Sequence, residues 1–314
     1  MKGNFHINRN KVVNVKKKKK SIERQYMGWV FITPWILGFL VFKLYPMMSS
    51  LVLSFSDYHM FQGISKWGFD NYRQIFANED ICKSLIVTFK YAFFTVPLKL
   101  VMALFIAYIL NFKLKFVNAF RTAYYIPSIL GGSIAIAVLW KSLFRDDGLI
   151  NTMLAVIGVT GPNWLSDPKW ALFIITLLRV WQFGSAMVIF LAALKGIPEE
   201  LYEAGTVDGA SKWTQFRSIT VPLITPVIFY NLITQLVQAF QEFNGPYVIT
   251  QGGPLGSTTL ISLLIYNRAF KTYEMGMASA MAWVLFICVM ILSGVAFFSQ
   301  KYWVYYSDEE GREK

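Results

Sequence analysis

Seven polar side chains lie inside long apolar segments of this sequence. Four of them are spaced at i, i+4, i+7 and i+11 and so share one face of a predicted helix: Asn231, Gln235, Gln238 and Glu242. The other three, Lys99, Arg179 and Gln182, fall in two further apolar segments. Lipid offers no hydrogen-bond partners, so we expect these groups to face other helices or a watery passage.

These residue types are suited to binding the hydroxyl groups of a sugar. Amides and carboxylates bind hydroxyl groups, and three aromatic residues nearby are available to stack on sugar rings, namely Trp181, Phe240 and Phe243. The alternative is that the polar stripe only joins neighbouring helices through hydrogen bonds. Lys99 is near the middle of its segment, where it either lines a cavity or forms an ion pair with a partner subunit.

A second group of informative residues lies in the segment 196–226, GIPEELYEAGTVDGASKWTQFRSITVPLITP. Pro198 suits the first position of a helix, and Glu199 and Glu200 suit the positive end of its dipole. Asp208 and Gly209 form a turn or helix-ending signal. The segment therefore predicts a short helix, a glycine bend and a second helix from Ala210. Such a helix could dock into a groove of another protein, or it could be an ordinary amphipathic connector.

The residues for several kinds of chemistry are missing. No G-x-x-x-x-G-K-[ST] loop is present to bind ATP phosphates. His6 and His59 have no second histidine at ligand spacing, and Cys82 and Cys288 cannot form a four-ligand zinc site. We therefore expect no catalytic residues, no metal and no cofactor in this chain.

The composition identifies the environment of these residues. The chain has 314 residues, of which 55% are hydrophobic and 15% charged, whereas about a quarter are charged in soluble domains. A membrane span needs about 20 apolar residues, and six segments meet this length: 29–53, 85–110, 123–144, 170–194, 219–240 and 277–298. The predicted fold class is therefore an all-α, polytopic membrane protein with six transmembrane helices.

The charge distribution predicts the orientation and the boundaries of the chain. Nine Lys or Arg and one Glu lie in residues 1–28, so this segment supplies +8 of the net charge of +12. A basic run beside an apolar segment indicates a cytoplasmic tail facing anionic lipid rather than a nucleic-acid site. We expect a basic tail at 1–28, a transmembrane domain at 29–300 with a cytoplasmic loop near 196–218, and a tail at 301–314. An even number of spans places both termini on the same side of the membrane, and the basic tail assigns that side to the cytoplasm.

The segment at 196–226 resembles the EAA loop of binding-protein-dependent ABC importer permeases, E-A-A-x3-G-x9-I-x-L-P. It matches at Glu203, Ala204, Gly209, Ile219 and Pro222, while Gly205 replaces the second alanine and Val221 the leucine. Further stretches, at 31–58, 69–76, 120–130 and 247–270, resemble the carbohydrate-uptake branch of that family. The resemblance covers most of the chain beyond its N-terminal tail.

This resemblance implies the type I permease fold of ABC importers and a transport subunit without an ATPase site of its own. It implies a second homologous permease subunit, two cytosolic ATP-binding subunits and an extracytoplasmic solute-binding protein as partners. The helix at 199–212 would be the coupling helix, which docks into one ATP-binding subunit. Its expected contact residues are Glu199, Glu200, Glu203, Ala204, Gly205, Asp208, Gly209, Ala210 and Pro222.

The expected solute is a sugar or oligosaccharide, and three alternatives stay open: another solute, a membrane enzyme and a channel. An importer of glycerol phosphate or another polyol-like solute would need cations such as Lys99 or Arg179 in its cavity. A membrane enzyme acting on lipid or polysaccharide would need acidic residues or histidines clustered at a membrane face. The acidic pair Glu199 and Glu200 is better explained by the helix dipole. A channel, finally, would conduct without ATP.

Overall fold

A computed structural model describes residues 22–112 and 115–306 of the protein. These residues form α-helices and no β-strand, which confirms the all-α fold class. The predicted tails at 1–28 and 301–314 lie largely outside the described residues. The helices are α1 Ile22–Phe39, α2 Tyr45–Ser54, α3 Asp70–Ala77, α4 Glu79–Asn111, α5 Val117–Leu130, α6 Ile134–Leu143, α7 Leu149–Val156, α8 Pro168–Trp181, α9 Gly184–Lys195, α10 Glu199–Val207, α11 Lys212–Gln215, α12 Val221–Phe240, α13 Ile261–Phe270 and α14 Met275–Ser299.

Short π-helical turns make some of these helices continuous. Leu40–Leu44 joins α1 to α2, and Phe216–Thr220 joins α11 to α12. A third turn of this kind, Pro246–Thr250, follows α12 after a short loop. The described residues divide into two compact units, with the division between Ser50 and Leu51. The residues of the two candidate sites described below belong to the second unit.

Within the described residues, four helical stretches are long and apolar enough to span a membrane individually: Trp29–Ser54, Glu79–Asn111, Lys212–Phe240 and Met275–Tyr302. Two bent pairs of helices pass the same test together, with bends of 102° between α5 and α6 and 44° between α8 and α9. The predicted number of six spans is reached when each bent pair counts as one span. The spans predicted at 123–144 and 170–194 are each broken into two helices in the structure.

Both breaks have a local cause in the sequence. The first lies at Gly131 and Gly132, two poor helix formers, and Ser133 then caps α6 by accepting a hydrogen bond from the Ile136 amide at 3.3 Å. In the second, α8 ends at Trp181 with Gln182 as its C-cap, and α9 begins at Gly184. Breaking a span frees backbone groups, and in a membrane these need protein partners.

The central helix of the bundle is α4, which packs against α8, α9 and α12. Its 33 residues are about 50 Å long, enough to cross the hydrocarbon core of about 30 Å. Near one end, Thr88 accepts a hydrogen bond from the Ile261 amide of α13 at 2.9 Å. Near the other end, the ring centroids of Tyr108 and Phe216 lie 4.9 Å apart. The helix thus connects the loops at one end of the bundle to the segment 196–226 at the other.

Candidate functional site

The segment 196–226 folds as a helical hairpin. Its first arm is α10, capped at its end by Asp208, and the bend is at Gly209, whose φ of +77° is a left-handed conformation that favours glycine. Ser211 caps the second arm, α11, by accepting a hydrogen bond from the Thr214 amide at 3.2 Å. The predicted order of helix, glycine bend and helix is therefore confirmed.

Two details of that prediction are wrong. Pro198 is at the N-cap with extended backbone, so Glu199 and not Pro198 opens α10. The second helix begins at Lys212 and not at Ala210, since the serine at 211 supplies a better cap than alanine.

The arms of the hairpin are held together by Gln215, which is 3% exposed. Its Nε2 donates to Thr206 Oγ1 at 2.9 Å and faces the carbonyl oxygens of Tyr202 and Ala210 at 3.4 Å. Tyr202 also shares a hydrogen bond of 2.9 Å with Thr220 through its hydroxyl. Gln215 is not among the residues predicted from the sequence, although an amide inside an otherwise matching motif was a usable signal.

Most of the predicted contact residues are exposed on this hairpin: Glu199, Glu200, Glu203, Ala204, Asp208 and Gly209. Gly205, Ala210 and Pro222 are half-buried, and a Cβ atom at Gly205 would lie 3.2 Å from the side chain of Ile219. A groove of about 590 Å³ runs beside α10, lined by Glu199, Tyr202, Glu203, Thr206, Val207 and Lys212. The hairpin thus presents an acidic and partly apolar surface on a braced backbone.

A second site lies where the bent spans meet the end of α12. Arg179 donates from its guanidinium to Gln182 Oε1 at 3.0 Å and to Gln238 Oε1 at 2.7 Å. It also pairs with Glu242 at 3.7 Å, and these two side chains are 18% and 13% exposed. Four of the predicted pathway residues therefore form one network.

This network also binds the backbone that the broken helices leave free. Gln182 Nε2 donates to the Gly131 carbonyl at 2.9 Å, and Asn244 donates to the Gly132 carbonyl at the same distance. Glu242 accepts a hydrogen bond from the Gly245 amide at 3.1 Å. A cavity of about 50 Å³ lies among these groups. The network thus joins both breaks to the turn that follows α12.

The remaining predicted pathway residues are not joined to this network by hydrogen bonds in the described part of the chain. Asn231 and Gln235 are buried on α12, and Asn231 donates to the Val227 carbonyl of its own helix at 3.1 Å. Lys99 is 2% exposed on α4.

The prediction that four polar residues share one face of a helix is wrong for Glu242. Since α12 ends at Phe240, Glu242 lies in the turn beyond the helix. The predicted stacking aromatic Phe240 is likewise unavailable, because it is 2% exposed in the core and packs edge-to-face on Phe89. Trp181 and Phe243 are partly exposed, and each packs against another aromatic ring.

No group of three His, Cys, Asp or Glu side chains that could hold a metal ion occurs among the residues searched, those of 22–112 and 115–306. The charged groups of the second site are instead bound to one another. Its chemistry is therefore hydrogen bonding and electrostatics.

Residues 75–304 match the family described as "Binding-protein-dependent transport system inner membrane component". The chain is 46% identical over 300 residues to "Probable ABC transporter permease protein YesP" of Bacillus subtilis (strain 168), covering 94% of this chain and 97% of the relative. It is 34% identical over 293 residues to "Lactose transport system permease protein LacF" of Rhizobium radiobacter, covering 90% and 97%.

A solved structure supports the fold. The protein in "Crystal structure of bacterial alginate ABC transporter in complex with alginate pentasaccharide-bound periplasmic protein" superposes with a TM-score of 0.79 at 24% identity, covering 90% of this chain and 96% of that one. The chain belongs to the family of inner-membrane components of binding-protein-dependent transport systems. It has the fold of an ABC importer permease.

Proposed function

We propose that this chain is a permease subunit of an ABC importer that moves a sugar or oligosaccharide into the cell. The family match and the relatives named for lactose, trehalose/maltose and arabinooligosaccharide transport support a carbohydrate solute. The chain would work with a second homologous permease subunit, two cytosolic ATP-binding subunits and an extracytoplasmic solute-binding protein. ATP hydrolysis is assigned to the separate subunits, so this chain is not itself an enzyme.

The observation that carries this proposal is the braced hairpin at 196–226. Its acidic first turn, Ala204 and Gly209 are exposed, while the buried amide of Gln215 fixes α10 against the start of the fifth span. A helix held in this way can transmit closure of an ATP-binding subunit to the spans as a rigid-body movement. The hairpin is thus the proposed coupling element, with Glu203, Ala204 and Gly205 near its centre.

We further propose that the solute passes beside the Arg179 network. The broken spans 3 and 4 and the end of α12 meet there, and irregular backbone at membrane depth occurs where protein or a cavity surrounds it. The guanidinium is already engaged by Glu242, Gln182 and Gln238. This favours a neutral solute over a glycerol phosphate, which would need free cations.

The same proposal fixes the orientation in the cell membrane. Both termini and the hairpin lie in the cytoplasm, and the basic tail at 1–28 contacts anionic lipid. A reporter domain fused after Lys314 should therefore be active only in the cytoplasm. Activity on the opposite side would contradict the orientation.

Reconstitution tests the function directly. We expect a complex of this chain, the second permease and the ATP-binding subunits to take up labelled oligosaccharide only with ATP and the binding protein. Glu203→Lys should lower co-purification of the ATP-binding subunit and uptake, because it reverses a charge on the docking surface. Asp146→Lys, the same reversal at an exposed loop residue, is the matched control. Equal uptake and co-purification in both variants would refute the coupling role.

A further inference from the structure

A second groove lies on the flank of the bundle, next to the hairpin. One wall is a face of α4, with Val101, Leu104, Phe105 and Tyr108 at i, i+3, i+4 and i+7. The other wall is formed by Lys212, Trp213 and Phe216. Its volume is about 510 Å³, and apart from the lysine its lining is apolar or aromatic.

The groove continues along α4 towards the other end of the helix. Val101 also lines a second, mostly apolar groove of about 700 Å³, which reaches Phe93 between α4 and α8 and is also lined by Lys169 and Thr176. From Phe93 to Tyr108 the helix rises about 22 Å. Half of the hydrocarbon core is about 15 Å thick. The combined groove is thus long enough for one acyl chain of a single leaflet.

The mouth of the groove has the chemistry of a membrane interface. Trp213 is 70% exposed and stacks on Phe216 with ring centroids 5.7 Å apart. Tryptophan is favoured at the level of the lipid headgroups. Beside it, Lys212 carries three N–H donors, of which one has a partner, Gln215 Oε1 at 3.3 Å. Among the described residues, Lys212 forms no salt bridge.

We propose that this groove binds an anionic phospholipid, with an acyl chain along α4 and its phosphate at Lys212. Charge complementarity selects this occupant, because Lys212 is the one charged residue lining the groove beside Trp213, and the phosphate would lie at this end rather than at Lys169, which lines the part between α4 and α8. Lys212 also lines the groove beside α10 and contacts Gln215, so the lipid would sit directly against the brace of the hairpin. The orientation proposed above places the Lys212 end of the groove at the cytoplasmic leaflet, which is rich in anionic lipid.

The test uses the assembled transporter in nanodiscs and phospholipids with brominated acyl chains, which quench nearby tryptophan fluorescence. The chain has ten tryptophans, so the Trp213 signal is taken as the difference between the native chain and Trp213→Phe. We expect brominated phosphatidylglycerol to quench Trp213 at about one-fifth of the mole fraction that brominated phosphatidylcholine needs. One lysine near a membrane surface supplies about 1 kcal/mol, which corresponds to this factor.

Three variants separate a specific site from general surface charge. Lys212→Gln should abolish the preference for phosphatidylglycerol, and Lys212→Arg should keep it. Lys195→Gln, at an exposed lysine that ends α9, should also keep it. Equal quenching by both lipids in the native chain, or equal loss in Lys212→Gln and Lys195→Gln, would overturn the proposal. No quenching by either lipid would mean that another protein subunit covers the groove, and would also overturn it. The signal needs neither ATP nor transport, so it tests the lipid site independently of the proposed function.

Discussion

Replacing Gln215 by leucine should loosen the hairpin without unfolding the membrane domain. Its Nε2 has two N–H groups and faces three acceptors, on Tyr202, Thr206 and Ala210, so it can form at most two full hydrogen bonds. Each such bond contributes about 0.5–1.5 kcal/mol. The variant should therefore lose about 1–3 kcal/mol of local stability, and the hairpin should open about 5-fold to 140-fold more often.

Hydrogen–deuterium exchange measures this opening. The reporting amides are those of Asp208, Gly209 and Ala210, which donate to backbone carbonyls of α10 at 3.0, 3.1 and 2.8 Å. Their exchange should accelerate by the factor given above, while amides in α4 keep their native rates. Thr206→Val removes the 2.9 Å bond of Gln215 and also the bond that the Thr206 hydroxyl donates to the Tyr202 carbonyl at 2.7 Å, so it should accelerate the same amides by about 5-fold to 140-fold.

Gln241→Leu is the matched control for this experiment, because it makes the same change at an exposed residue far from the hairpin in sequence. It should leave the exchange of the three hairpin amides unchanged. Native exchange rates in Gln215→Leu would refute the conclusion that this amide braces the two arms.

Three further perturbations follow from the geometry. Gly131→Ala should lower transport and the midpoint of thermal unfolding, because its Cβ would lie 2.5 Å from a backbone carbonyl oxygen and overlap the Gln182 side chain. Gly132→Ala is the control and should change neither quantity, because its Cβ would lie in open space. Arg179→Glu and Glu242→Arg should each impair uptake, and the double variant should recover part of it. In a double-mutant cycle of stability, the coupling energy between the two residues should exceed about 0.5 kcal/mol. Strictly additive effects on stability would contradict the pairing. Gly209→Val should destabilise the hairpin by about 1–2 kcal/mol, measured by hydrogen–deuterium exchange, because Gly209 has a left-handed backbone conformation. Gly209→Asn should destabilise it less, since asparagine adopts this conformation more readily. Equal effects of the two variants would contradict the left-handed bend.

Local chemistry in the sequence was sufficient to predict the spans and the hairpin. Apolar segments of about 20 residues cross a membrane as helices because lipid leaves the backbone no other partners. The hairpin follows from a proline before the first helix and a glycine after it, whose backbone preferences act within a few residues. The break in the third span was also visible, at Gly131 and Gly132, but a template that counts only apolar length passes over it.

The pairings within the second site were not predictable in the same way. Arg179 and Gln238 are 59 positions apart in the chain, and only the packing of α8 beside the end of α12 brings their side chains to 2.7 Å. The position of Glu242 beyond its helix depends on where α12 ends. The stripe of polar residues therefore indicated where polar groups lie, while the tertiary structure decided which of them bind each other.

The sequence by itself determined that the chain is a helical membrane protein with an exposed hairpin between its fourth and fifth spans. Only the tertiary structure decided which face of each helix meets protein. The apolar windows of α4 and α14 have similar mean hydropathies of 2.2 and 2.5, yet 44% of the first and 6% of the second are buried within the chain. Lipid tails are as apolar as a protein interior, so hydropathy cannot distinguish the two surroundings, and close packing between particular side chains makes the choice.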